Sequence, residues 1–327
     1  KLMSDNYGQN MNYKIMFSII FAILVVTVFF TFSMDLYIQI YDPNWHGIIN
    51  SNKSVDSTKG KIFIVGSSNV YAINATSINE QLSNEQKNYL VYNLADQGDN
   101  PTRRLSSIDN IISHKPEFVL YGIGIWDFVK PISKLQSHSA IDFLLQPGDF
   151  FKSLFQDNID LYGYGPGNIF ISPKDRSLTS LKYILRGPDQ HYHPFIQFKE
   201  TPILDFEKIK EAGSSYVGRH LDVSDSSMQV NQLKKILKEL QKNDIKVVIF
   251  TNPYHRVLID SIDDSEISNF ETMLKNNANE FNFDTYFLQD KYADLNIWRE
   301  YLHIAIQPES KIFSDDVLQI ILKKIEE

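Results

Sequence analysis

Five short apolar runs, each stopped by glycine, proline or small polar residues, restrict this chain more than any other feature. They are KIFIV at 61–65, NYLVYNLA at 88–95, EFVLYGI at 117–123, IKVVIFT at 245–251 and the short FDTYFL at 283–288. Runs of this length, apolar on both faces, read as strands buried on both sides. Between them the period changes to that of helices. Residues 102–114 carry Leu105, Ile108, Ile111 and Ile112, and 225–243 carry Val230, Leu233, Ile236, Leu237 and Leu240 on one face. Helices are also expected over 70–82, 265–281 and 315–325. Strands alternating with helices predict a three-layer α/β/α sandwich of flavodoxin-like type, with a parallel sheet of about five strands.

In such a sheet the ligand-binding edge is the one at the strands' carboxyl ends. Four loops should meet there: Gly66-Ser-Ser-Asn69, Asp96-Gln-Gly-Asp-Asn100, Gly124-Ile-Trp-Asp127 and Trp298-Arg-Glu-Tyr-Leu-His303. Ser68 would sit where a strand ends and a helix begins, a place that offers backbone N–H groups and partial positive charge to an oxyanion. The plainer reading is a turn whose serines cap the helix. Glu300 and His303 are three residues apart, a spacing at which one turn of chain lets a carboxylate hold an imidazole. An imidazole so held takes a serine proton, and the serine attacks a carbonyl. The plainer reading of His303 is a buried structural histidine capped by Glu300. His255, in Asn-Pro-Tyr-His after the fourth run, is the second candidate for the base and for lining the site. His191 and His193 stand beside Asp189 as a potential metal pair. No third ligand accompanies them and no glycine-rich phosphate loop is present, so neither metal nor cofactor is expected.

This combination resembles the SGNH (GDSL-like) hydrolase superfamily, whose members carry Gly-Asp-Ser after strand one, a glycine after strand two, Gly-x-Asn-Asp after strand three and Asp-x-x-His near the C-terminus. The resemblance covers roughly 61–100, 117–127 and 246–327. It implies Ser68 as nucleophile, His303 as base, Glu300 as its orienter, and the Ser68 and Gly98 backbone N–H groups as oxyanion donors. Three departures stand out. Gly-Ser-Ser replaces Gly-Asp-Ser, as it does in membrane-anchored relatives such as the D-alanyl transfer proteins of teichoic-acid synthesis. Glu300 replaces aspartate and adds a methylene. Trp126 replaces the asparagine that donates to the oxyanion, and losing one such donor costs on the order of 10²–10³ in rate. Asn69 or Asn100 is a substitute donor. Trp126 otherwise reads as pocket wall, and Asp127 as a turn carboxylate.

The second long-range constraint lies near the start. IMFSIIFAILVVTVFFTFSM, residues 15–34, contains no charge, and about 20 helical residues span about 30 Å, the thickness of a bilayer core. The run exceeds a signal peptide's apolar stretch and no small-x-small cleavage site follows it. It predicts a retained single transmembrane helix over 15–36, after a cytoplasmic tail over 1–14 and before a polar linker over 37–60. Lys1 and Lys14 precede the span and Asp35 and Asp42 follow it, which places the N-terminus inside and the domain outside. The domain, 61–327, contains an irregular, aromatic and turn-rich insertion at about 131–224. Asn52 and Asn74 head glycosylation triplets.

Composition closes several routes. The chain has no cysteine, which excludes disulfides and thiolate chemistry, and its net charge of −8 argues against nucleic-acid binding. The reading that joins these observations is an extracytoplasmic serine esterase or O-acyltransferase held in the cell membrane. The resemblance to anchored relatives implies an acylated envelope glycan or polymer as substrate; a membrane-protein partner beside the bilayer is a separate expectation. The alternative is a catalytically inactive domain of the same fold that serves as a membrane-anchored binding or assembly subunit.

Overall fold

The structure is a computed structural model and describes residues 13–26, 29, 59–95, 98–129, 200–213 and 220–327. The chain divides into two units; the described part of the first is residues 13–26 and 29, and the second holds the sheet. Residues 13–26 are helical and exposed along their length. Among the described residues no helix is long and apolar enough to cross a membrane. The rest of the expected span, 27–28 and 30–36, lies outside them, as do residues 1–12 of the tail and almost all of the linker.

The second unit is built on five parallel strands: β1 (Gly60–Gly66), β2 (Tyr89–Asn93), β3 (Phe118–Ile123), β4 (Lys246–Thr251) and β5 (Asp284–Tyr286). Their order is β2-β1-β3-β4-β5, the flavodoxin-like order. Register pairs Ile64 with Leu120, and Leu120 with Val248, so apolar side chains form rows across the sheet. The middle strands are buried on both faces, as their unbroken apolar sequences require. Helices α1 (Ala75–Asn84) and α8 (Lys311–Glu326) pack together over one face, and their Ile78, Leu82, Val317 and Ile321 share a core with Ile62, Ile64, Leu120 and Val248. The other face is covered by α2 (Pro101–Ser106), α3 (Ile108–His114), α5 (Met228–Lys242) and α7 (Asp264–Phe281). On α5 the buried residues are Val230, Leu233, Ile236, Leu237 and Leu240, the stripe set by helical spacing. Two short helices, α4 (Phe206–Gly213) and α6 (Arg256–Ile259), lie near the carboxyl edge of the sheet.

Two elements differ from expectation. The helix expected over 70–82 begins only at Ala75; before it, Ser68–Val70 form a single 3-10 turn. A continuous helix would spend the carbonyls of Val70 and Ile73 on amides four residues on. Instead the Asn93 side chain donates to both carbonyls at 2.9 Å. The Asn74 side chain then caps the new start by accepting from the Ser77 amide. Ser68 therefore stands at a 3-10 turn and not at the mouth of an α-helix. The helix expected over 102–114 is broken at Ser107 into α2 and α3.

Most of the insertion lies outside the described residues, including Asp189, His191 and His193. Its described end, from Glu200, is tied to the C-terminal part of the chain. Thr201 exchanges hydrogen bonds with Ile306 and accepts from the Gln307 side chain, and the Leu204 amide donates to the Trp298 carbonyl at 2.8 Å.

Candidate active site

The turn that bears Ser68 begins with backbone that only glycine tolerates. Gly66 has φ +148, and a Cβ there would lie 2.6 Å from the Gly122 carbonyl oxygen on the next strand. Neighbouring Gly122 is equally confined, since a Cβ would come within 2.8 Å of Val70, Phe250 and the Asn252 side chain. These close approaches let β1 end flush against β3 and lift Ser68 over the sheet edge.

The histidine arrives on a tight loop after β5. Trp298 and Ile304 form an antiparallel bridge, and the Arg299 amide donates to the His303 carbonyl at 3.0 Å. Trp298 anchors the loop: its side chain is buried, and its indole N–H donates to the Tyr292 carbonyl at 3.0 Å. His303 Nε2 stands 2.7 Å from Ser68 Oγ, across a sequence separation of 235 residues. On its other side Nδ1 meets Glu300 Oε1. The second carboxylate oxygen, Oε2, accepts from the Leu302 amide at 2.9 Å. Glu300 and His303 each keep about a quarter of their side-chain surface exposed, so the pair is open to a reactant. With Nδ1–H donated to the carboxylate, the Nε2 lone pair faces the serine hydroxyl, which is the tautomer that proton removal from Ser68 requires. The extra methylene of Glu300 is absorbed within the tight loop without loss of this contact.

The remaining candidates occupy other places. Asn69 is buried; its side-chain nitrogen donates to the Leu302 carbonyl at 2.5 Å, and its oxygen accepts from Ser67 Oγ at 2.7 Å. Asn100 caps α2 by accepting from the Arg103 amide. Gly98 has φ +69, a left-handed turn in which a side chain is strained. Asp127 closes the turn after β3, with Oδ2 accepting from the Gly124 amide at 2.7 Å. Burial pushes the Asp127 carboxyl up to about 8; the Gly124 hydrogen bond opposes this, and the nearby Asp99 charge adds to it. Trp126 sits on this turn, half-buried, with its amide 3.4 Å from the Tyr254 hydroxyl. His255 is committed to structure. Its Nδ1 accepts from the Val257 amide at the start of α6, and its ring stacks edge-on against Trp298 and tilts against Phe206. Burial holds the His255 imidazole below its usual range, against the pull of Asp294.

Two features at this edge carry no signal in the sequence. The end of the insertion braces the histidine loop through bonds that each involve at least one backbone group, which no residue pattern marks. Asn252, where β4 ends, is fully buried beside Gly122, and neither polar atom of its side chain has a hydrogen-bond partner. A buried unpaired polar group costs about 1–3 kcal/mol. Among the described residues no cluster of three metal-ligating side chains occurs.

No family profile matches the chain, and no curated protein matches it. Solved structures similar to it include the acetyl xylan esterase AlAXEase, with a TM-score of 0.42 and 11% identity over 80% of this chain and 99% of that one. A second is the psychrotrophic esterase EstA from Pseudoalteromonas sp., with a TM-score of 0.41 and 11% identity over 82% and 100%. A third is AlinE4, an SGNH-hydrolase family esterase, with a TM-score of 0.37 and 11% identity over 83% and 98%. At these values the likeness adds nothing to what the geometry itself carries. What the site itself shows is a serine, an imidazole and a carboxylate brought together by loops at the carboxyl edge of a sheet ordered β2-β1-β3-β4-β5.

Proposed function

We propose that the chain is a serine esterase or O-acyltransferase of the SGNH kind, using Ser68, His303 and Glu300. The observation that carries the reading is the 2.7 Å contact between Ser68 Oγ and His303 Nε2, with Glu300 on the far side of the ring. The Ser68 hydroxyl proton passes to Nε2 as Oγ bonds to the ester carbonyl carbon. Glu300 stabilises the imidazolium. The tetrahedral oxyanion takes hydrogen bonds from the Ser68 and Gly98 amides. When the carbon–oxygen bond of the ester breaks, His303 returns the proton to the leaving alkoxide. Water or an acceptor hydroxyl then attacks the acyl-serine by the same route in reverse, giving hydrolysis or transfer.

In this proposal the substrate is an acylated envelope glycan or polymer. The chain is held in the cell membrane by 15–36, with its N-terminus cytoplasmic, its α/β domain extracytoplasmic and a membrane-protein partner alongside. What supports the anchor is the uncharged 20-residue run at 15–34 and the exposed apolar surface of its described part, where Phe17, Phe21 and Val26 are all open. Trp126 in place of an amide donor favours the second reading, an inactive binding or assembly subunit.

A labelled fluorophosphonate and short acyl esters of p-nitrophenol separate the two. The enzyme reading expects the full chain to take up the probe and to turn over the esters, with both lost in Ser68→Ala. Absence of labelling and turnover in the folded wild type would sink it.

A further inference from the structure

We propose that Asn69 is a positioning residue whose amide ties the nucleophile turn to the histidine turn, so that Ser68 and His303 are aligned by a closed ring of hydrogen bonds. The inference rests on the esterase reading above, and its test is read separately from it.

The ring can be followed atom by atom. Ser67 Oγ donates to Asn69 Oδ1, and Asn69 Nδ2 donates to the Leu302 carbonyl. The Leu302 amide donates to Glu300 Oε2, and Glu300 Oε1 holds His303 Nδ1. His303 Nε2 then meets Ser68 Oγ, between the two residues at which the ring began. Two side-chain contacts in this ring therefore join segments more than 230 residues apart: Ser68 to His303, and Asn69 to Leu302. One hydrogen bond between the two turns sets their separation at that point but not the angle between them. A second, one residue on from Ser68 and one residue back from His303, fixes that angle. The bond at Leu302 also acts on Glu300, because the Leu302 residue that accepts from Asn69 is the one whose amide orients the carboxylate. Asn69 thus acts through its neighbours, and its buried amide is already engaged at both ends.

Three variants of the full chain test this. Asn69→Leu removes both links. Asn69→Asp keeps the acceptor for Ser67 but sets a carboxylate oxygen against the Leu302 carbonyl. Ser67→Ala breaks only the inner link. Turnover of p-nitrophenyl acetate is measured with thermal unfolding and with the downfield proton signal of the His303 imidazole, assigned by its loss in His303→Ala. The expected result is a fall in kcat of about 10²-fold for both Asn69 variants, since small misplacement of a reacting group costs that much, with KM within about twofold. Ser67→Ala should lose less than about tenfold. The imidazole signal should broaden or vanish in the Asn69 variants while unfolding stays cooperative. Should Asn69→Leu fail to fold, the near-isosteric Asn69→Asp carries the test. Wild-type kcat and an unchanged imidazole signal in Asn69→Asp would overturn the assignment. If the wild type turns over no ester, the esterase reading falls, and the imidazole signal alone still decides whether Asn69 holds the histidine turn.

Discussion

The Glu300 carboxylate uses both of its oxygens, one on the imidazole and one on the Leu302 amide. Removing its charge while keeping its shape should cost more than shortening it. Glu300→Gln is expected to lose on the order of 10³–10⁴ in kcat, because an uncharged orienter neither stabilises the imidazolium nor fixes the tautomer. Glu300→Asp keeps the charge and should lose about 10-fold to 10²-fold from misplacement alone. Steady-state turnover of a short acyl ester checks both. Asp127 offers a prediction of a different kind. Its folded carboxyl is raised to about 8 from a usual 3.8, so the folded state keeps a proton that the unfolded chain has lost. The stability from that proton is fully present below about pH 4 and is lost as pH rises toward about 8. Asp127→Asn should therefore flatten the fall in melting temperature between about pH 5 and pH 8, its advantage over wild type growing with pH. Equal pH slopes for the two proteins would refute it. At this scale the serine, the histidine and the carboxylate could be read from spacing and from the loops that bear them. The bonds of Asn69 could not, because its partner at Leu302 is a backbone carbonyl 233 residues away and every residue type has one.

The junction of β1 and β3 is sensitive to a single methyl. Gly122→Ala would press Cβ against Val70, Phe250 and Asn252 in the middle of the sheet. Overpacking of this sort costs about 1–3 kcal/mol. Gly66→Ala adds an unfavourable φ and a clash with rigid backbone, so it should lower the melting temperature further and displace the Ser68 turn. A Gly66→Ala protein as stable as Gly122→Ala would contradict this account. The strands were legible because a sheet buried on both faces needs unbroken apolar runs, and the helix faces because burial imposes their period. The start of α1 was not, because Asn93, on a different strand, takes the carbonyls that a longer helix would have used. The bracing of the histidine loop by Thr201 and Leu204 was equally invisible, since it runs through hydrogen bonds to distant backbone.

For the whole molecule, the order β2-β1-β3-β4-β5 follows from the alternation of strand and helix, while the insertion between β3 and β4 has no periodicity from which to read it. The proposed anchored topology makes its own prediction. The full chain should sediment with membranes and resist alkaline carbonate extraction, and the α/β domain should be cut by protease added to the outer face of intact cells. Release by carbonate, or protection of the domain, would count against it.

The contact between Ser68 and His303 has a consequence for how the protein is made. The hydroxyl leaves the ribosome 235 codons before the imidazole. A chain cut short between the two carries the serine with no base. If the two groups react as proposed, acyl chemistry is withheld from every prematurely terminated product that lacks the last loop, and begins only when translation has passed it.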